Sequence, residues 1–161
     1  MRVTTRSNLA LRVLMFCGVN SGRLVTKHDI ASKCNSSENH LGQVVNHLAQ
    51  RGVLDTVRGR GGGIRLGRPA DEIKIGQIFR MLEADSPVAE CFADVDNTCP
   101  LTAACRLKTA ISMAVDAFYG KLDELTLKDL IEDNTSLEQI LCLDLDVGCS
   151  AGQKQVAYSA G

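Results

Sequence analysis

The 161 residues contain no tryptophan and only 4% aromatics, and no apolar run approaches the length of a bilayer span. A spanning helix needs about 20 predominantly apolar residues, so a soluble, cytoplasmic protein is expected. Nothing at the N-terminus has the order of a secretory signal, and an odd total of seven cysteines sits badly with a secreted disulfide framework. The P-loop order G-x4-G-K-[ST] is absent although there are fourteen glycines. No nucleophile stands with a base and an orienting group at recognisable spacing, so the chain is not expected to be an enzyme. The length allows one domain or two small ones, enough to bury a core.

The formal net charge of -1 hides a strong segregation. Residues 1–70 carry eleven Lys and Arg against three Asp and Glu, a net of +8; residues 71–161 carry seven against sixteen, a net of -9. A basic half of this strength is the electrostatic footprint of a polyanionic partner, most simply double-stranded DNA, while the acidic half stays in solvent.

Cys91, Cys99 and Cys105 fall within fifteen residues at C-x7-C-x5-C spacing. Soft thiolates in a polar loop suit an iron–sulfur cluster or zinc. Zinc fits poorly, because its sites usually bring paired C-x2-4-C or histidine. The only histidines here, His28, His40 and His47, lie more than forty residues upstream. Cysteine as a small buried hydrophobe is the plainer alternative. A helix is expected after Pro100 with Cys105 about a turn inside it. Cys17 and Cys34 read as core or surface thiols, and Cys142 and Cys149 lie outside the patterned region.

Before that loop, Leu9, Val13, Phe16 and Cys17 space as a helix from about Thr5 to Asn20. Thr26 with Asp29 caps a short second helix ending near Cys34, and Ser37 caps a third running to about Arg51. Leu41, Val44, Val45 and Leu48 form its apolar stripe. The opposite face presents Glu38, Asn39, His40, Gln43, Asn46 and His47, polar groups able to reach base edges. Two short helices with such an outer face form a helix-turn-helix, whose second helix enters the major groove.

Residues 53–57 and 64–66 read as two short strands around Arg58-Gly-Arg-Gly-Gly-Gly63. Arg58, Arg60, Arg65 and Arg68 cluster on this hairpin, suited to phosphates or a minor groove. Together the parts make a winged helix. DNA contacts are expected from Ser37, Glu38, Asn39, His40, Gln43 and Asn46 in the helix, and from Arg58, Arg60, Gly61, Gly62 and Arg65 in the hairpin.

Ile75, Ile78, Phe79 and Leu82 mark a helix from about Lys74 to Ala84, with Gly76 a mild weakness in its first turn. Beyond Pro100 the longest helical pattern carries Leu101, Ala104, Ile111, Val115, Phe118, Leu122 and Leu125. From Ile111 the steps alternate four and three, the seam of a helix lying along a partner, here expected to be the same helix of a second copy. A two-fold dimer carries two recognition helices, so a roughly palindromic operator is expected. Thr126 and Asp129 cap one more short helix ending near Asn134. The architecture expected is mainly α: a winged-helix region over 1–70, a cysteine loop and dimerisation helices over 71–141, and a disordered tail over 142–161.

The stretch Val57-Arg-Gly-Arg-Gly-Gly-Gly-Ile-Arg-Leu-Gly-Arg-Pro-Ala70, followed by Cys99-Pro-Leu-Thr-Ala-Ala-Cys105-Arg-Leu-Lys108, resembles the small dimeric winged-helix regulators that carry an iron–sulfur cluster. Within them it is most similar to the NsrR-type, nitric-oxide-sensing branch. The resemblance runs from Met1 to about Leu141. It implies a 2Fe-2S or 4Fe-4S cluster held by Cys91, Cys99 and Cys105. The IscR branch places a histidine three residues after the last cysteine, where this chain has Lys108. Two departures stand out: the first cysteine loop is long, and Asn8 occupies the first-helix position where NsrR-type proteins carry an aspartate ligand. Asn8, Asp94, Asp96, a solvent species and a small thiol all remain open as the fourth ligand. The resemblance implies a homodimeric repressor of nitrosative-stress genes that releases its operator when nitric oxide nitrosylates or removes the cluster. The alternative is a winged-helix regulator using the same cysteines as a cluster-free thiol redox sensor.

Overall fold

The computed structural model describes residues 3–84, 87–93 and 97–143. Along them run α1 (Thr5–Val19), α2 (Lys27–Cys34), α3 (Glu38–Gln50), β1 (Leu54–Val57), β2 (Gly63–Leu66), α4 (Ile75–Glu83), α5 (Arg106–Asp123), α6 (Leu127–Ile131) and α7 (Thr135–Leu141). Single 3-10 turns occupy Ala70–Glu72, Glu90–Phe92 and Thr102–Ala104. The chain is mainly helical with a two-stranded antiparallel wing, as its patterning predicts. Among the described residues no helix is long and apolar enough to cross a membrane.

Local chemistry starts and stops the first helices. Thr4 accepts from the amide of Ser7 at 3.2 Å at the head of α1. Thr26 and Asp29 form a reciprocal capping box on α2, with Asp29 N–H donating to Thr26 at 3.1 Å and Thr26 N–H donating to Asp29 at 2.9 Å. Asn35 ends α2 in the left-handed region (φ 48°) that Asn tolerates, and Ser37 caps α3 two residues later.

Apolar faces from α1, α2, α3, the wing, α4, α6 and α7 meet in one continuous core. Leu14, Phe16, Ile30, Leu41, Leu48, Ile73 and Leu127 are fully buried within it. The wing is pinned to this body as well as to itself. Val25 and Ile64 exchange backbone hydrogen bonds of 2.9 and 2.8 Å, adding a bridge beside β2. A side chain at Gly63 would meet the Val25 carbonyl at 2.8 Å.

The C-terminal half departs from the sequence reading at three places. The helix expected directly after Pro100 is preceded by the turn at Thr102–Ala104, and α5 begins only at Arg106. Cys105 is therefore its N-cap residue, not a group one turn inside. Gly76, read as a weakness in α4, is where α5 comes closest: a Cβ there would stand 2.8 Å from the Tyr119 carbonyl oxygen and collide with the Asp123 carboxylate. Beyond α6, the chain turns through Asp133 (φ 56°) into α7, a helix the patterning did not signal. Asn134 caps it by accepting from Leu137 N–H at 3.1 Å, but seven residues are too few to be helical without packing.

α5 has no buried residue. Its C-terminal part leans on α4, with the Phe79 and Phe118 rings edge to face at 6.1 Å and Arg80 paired to Asp123 at 2.6 Å. The N-terminal part leaves Leu107 and Met113 66% and 68% exposed. The C-terminal part of the seam read from the sequence thus has an internal partner in α4, whereas the exposed Leu107 and Met113 lie off that seam.

Candidate nucleic-acid interface and thiol loop

Burial of Leu41, Val44, Val45 and Leu48 turns one face of α3 into the core. It leaves Glu38, Asn39, His40, Gln43 and Asn46 on the exposed face, as expected for a recognition helix. Ser37 is also exposed, with its hydroxyl occupied as the cap acceptor from His40 N–H at 3.3 Å. Glu38 lies 3.3 Å from Nδ1 of His28, an exposed contact joining the starts of α2 and α3. His47 is half-buried and engaged instead by Arg6 at 2.6 Å and Arg51 at 2.8 Å, which fixes the C-terminal end of α3 against α1.

The wing pairs Leu54 with Leu66 through to Val57 with Gly63. Its tip turns through Gly59 and Gly61, both at positive φ (98° and 82°), a geometry glycine adopts without strain. Gly62 lies so close under the Val57 carbonyl that no side chain fits. Arg58 and Arg60 stand exposed on this tip. Arg65 differs: in the free protein its Nε and Nη2 donate to Asp55 at 2.9 and 2.7 Å across the strands. Arg68 is half-buried at the base of the wing. One cation escaped the sequence reading. Lys27, exposed at the first position of α2, brings its ammonium to 3.7 Å from where a Cβ on Gly42 would stand, beside α3. Only the angle between α2 and α3 reveals it.

Cys91, Cys99 and Cys105 all lie outside the core and are half-exposed free thiols. Cys91 sits in the turn Glu90–Phe92 and Cys105 at the N-cap of α5. Glu90 closes the loop between them, accepting from the amide and hydroxyl of Thr98 at 2.5 and 2.7 Å. That hydroxyl, and then the amide, hold the Glu90 carboxyl below its usual range. Asn97 accepts from Cys99 N–H at 3.2 Å, and the Thr102 hydroxyl donates to the Cys99 carbonyl at 2.9 Å. Lys108 places its ammonium 5.7 Å from the centre of the Phe92 ring, tying α5 to the residue after Cys91.

The donor chemistry, three accessible thiols within fifteen residues, fits a soft metal or cluster. Among the described residues, however, no three Cys, His, Asp or Glu side chains are gathered closely enough to hold a metal ion. Ligation would have to draw the thiols together. Asn8 is exposed on α1 in an open groove with Val3, Thr4, Thr5 and Arg12; Asp94 and Asp96 lie outside the described residues, as does Cys149. Cys17 and Cys34, read as core or surface thiols, are core residues. Burial, and then the neighbouring Cys34, push the Cys17 thiol up to about 12, and burial also raises Cys34. Cys142 is buried at the end of α7.

Residues 3–133 match the Rrf2 family, described as an iron-dependent transcriptional regulator. The HTH-type transcriptional regulator NsrR of Geobacillus kaustophilus is 43% identical over 142 residues, spanning 88% of this chain and 97% of that protein. NsrR of Bacillus subtilis is 37% identical over the same shares. Among solved structures, oxidised CymR of Staphylococcus aureus superposes with a TM-score of 0.63 at 29% identity, covering 82% of this chain and 97% of that one. IscR of T. potens gives 0.64 at 26% identity, covering 83% and 88%.

Proposed function

This chain belongs to the Rrf2 family of iron-dependent transcriptional regulators, and on that footing we propose that it is a homodimeric repressor sensing nitric oxide through an iron–sulfur cluster. As a member of that family it is a DNA-binding transcriptional regulator. The observation that carries the reading is the presence, in one chain, of an exposed polar face on α3, two exposed arginines on a glycine-built wing and three accessible thiols within fifteen residues. α3 would enter the major groove while Arg58 and Arg60 reach the flanking backbone or minor groove.

Cys91, Cys99 and Cys105 would hold the cluster, which when bound supplies iron accessible to a small diatomic. The fourth ligand stays open among Asn8, Asp94, Asp96, a solvent species and a small thiol. Lys108, where the IscR branch has histidine, holds Phe92 and so couples the Cys91 turn to α5. Strain at the thiols would pass to α5, across the tight Gly76 contact to α4, and from Glu83 to Thr4 of α1 through hydrogen bonds of 3.0 and 2.8 Å. The unpaired apolar part of α5, with Leu107 and Met113, would meet its copy in the dimer.

A second reading is favoured by one observation: the thiols are accessible but not gathered as three ligands. A redox switch needs only two of them to approach. Iron and acid-labile sulfide, measured on protein purified without oxygen, separate the readings. Both present, with operator binding lost on adding nitric oxide and with a colourless, weakly binding Cys99→Ala dimer, support the cluster. A metal-free dimer that binds DNA and responds to peroxide moves the function to the thiols.

A further inference from the structure

We propose that the cleft between α1, the base of the wing and α6 binds a small apolar carboxylic acid, with Arg68 as its anchor. The cleft encloses about 400 Å³, within the range of small-molecule sites. Its walls are mostly apolar, built from Cys17 and Gly18 of α1, Leu66 at the end of β2 and Ile131 of α6.

The charges around it are unequal. Arg65 is committed to Asp55 at 2.7 Å, and Lys128 faces Glu132 at 3.5 Å. Arg68 has no such partner among the described residues, and its Nε is buried without any hydrogen-bond acceptor. A buried donor left unpaired is destabilising, and native chains almost always satisfy such groups. The acceptor here is expected from outside the chain.

Ligand class follows from the walls and the donor. A carboxylate offers two oxygens to the parallel N–H edge of a guanidinium. The apolar walls take a hydrocarbon body, which inorganic phosphate lacks. The cleft touches both β2, which carries the wing, and α6, so a bound acid bridges the reading half and the C-terminal half. It lies apart from Cys91, Cys99 and Cys105 and does not depend on whether they hold a cluster.

Arginine Nε–Hε correlations in proton–nitrogen spectra of the full chain provide the test, with Arg68→Met identifying the Arg68 signal. Hexanoate is expected to move that signal saturably, and the neutral hexanamide to leave it in place. Arg68→Lys, which keeps the charge but loses the fork, should bind hexanoate about tenfold more weakly or worse. Arg68→Met should remain folded, since it removes a buried donor that has no acceptor. A signal unmoved by hexanoate, or moved equally by hexanamide, overturns the proposal. So does a signal that moves only when duplex DNA is added, which would make Arg68 a phosphate contact of the wing.

Discussion

The side-chain amide of Asn20 at the end of α1 donates to the carbonyl of Leu141 at 3.0 Å and accepts from Leu143 N–H at 3.2 Å, while it is itself only 1% exposed. Its nitrogen also donates to the Phe16 carbonyl at 2.9 Å. One buried amide thus ends the first helix and fastens the last. Asn20→Ala leaves the Leu141 carbonyl and the Leu143 amide without this partner, while the Phe16 carbonyl keeps the backbone N–H of residue 20 at 3.1 Å. A loss of about 1–3 kcal/mol is expected in urea unfolding, with amide exchange rising first in α7. Exchange that rises uniformly would show that the clamp is not local.

Gly76 against Tyr119 is the second tight contact. Gly76→Ala would normally favour a helix interior, by about 1 kcal/mol. Here the new methyl meets the Tyr119 carbonyl and the Asp123 carboxylate, so destabilisation of about 1–3 kcal/mol is expected instead. A raised denaturation midpoint would mean that α5 can move away from α4 freely.

The wing arginines should separate by salt dependence. Arg60 is exposed at the tip, and Arg60→Ala is expected to lower the slope of log K against log salt by about one. Arg65 must first leave Asp55, so Arg65→Ala should change the slope less. Titrations from about 50 to 200 mM salt decide the matter, and equal slopes for the two variants would remove the distinction.

Cys17 links folding to alkaline pH. Its thiol rises from an ordinary 9.0 to about 12 in the fold, so the native state keeps the proton longer than the unfolded chain. The stability this contributes is complete below about pH 9 and is lost as pH climbs towards 12. Cys17→Ala should flatten the fall of stability over that window. In folded protein freed of any cluster, at pH 8, iodoacetamide is expected to label Cys91, Cys99 and Cys105 while sparing Cys17 and Cys34. Early labelling of Cys17 would show that α1 opens readily.

Where a rule acts over a few neighbouring residues, structure and sequence agree. Thr26 with Asp29, Ser37 before Glu38, and Thr126 with Asp129 all cap the helices they were read to cap. The glycines of the wing sit where positive φ or a bare backbone is needed. The polar face of α3 was legible because the period of a helix assigns each residue to a side once the apolar stripe is known. The placement of Cys105 was not, because a short turn after Pro100 shifts the start of α5.

The sequence by itself determined the winged helix-turn-helix, the division of charge and the order of the three thiols, since caps, turns and amphipathic periods are set by residues within a few positions of one another. Only the tertiary structure decided that Gly76 admits α5, that α7 is helical under the hold of Asn20, that Arg65 is paired while Arg58 and Arg60 project, and that the Arg68 Nε lacks an acceptor among the described residues. Each depends on what a residue meets once the chain has folded, across ten positions for Arg65 and Asp55 and across 121 for Asn20 and Leu141, and no helical or strand period encodes that neighbour.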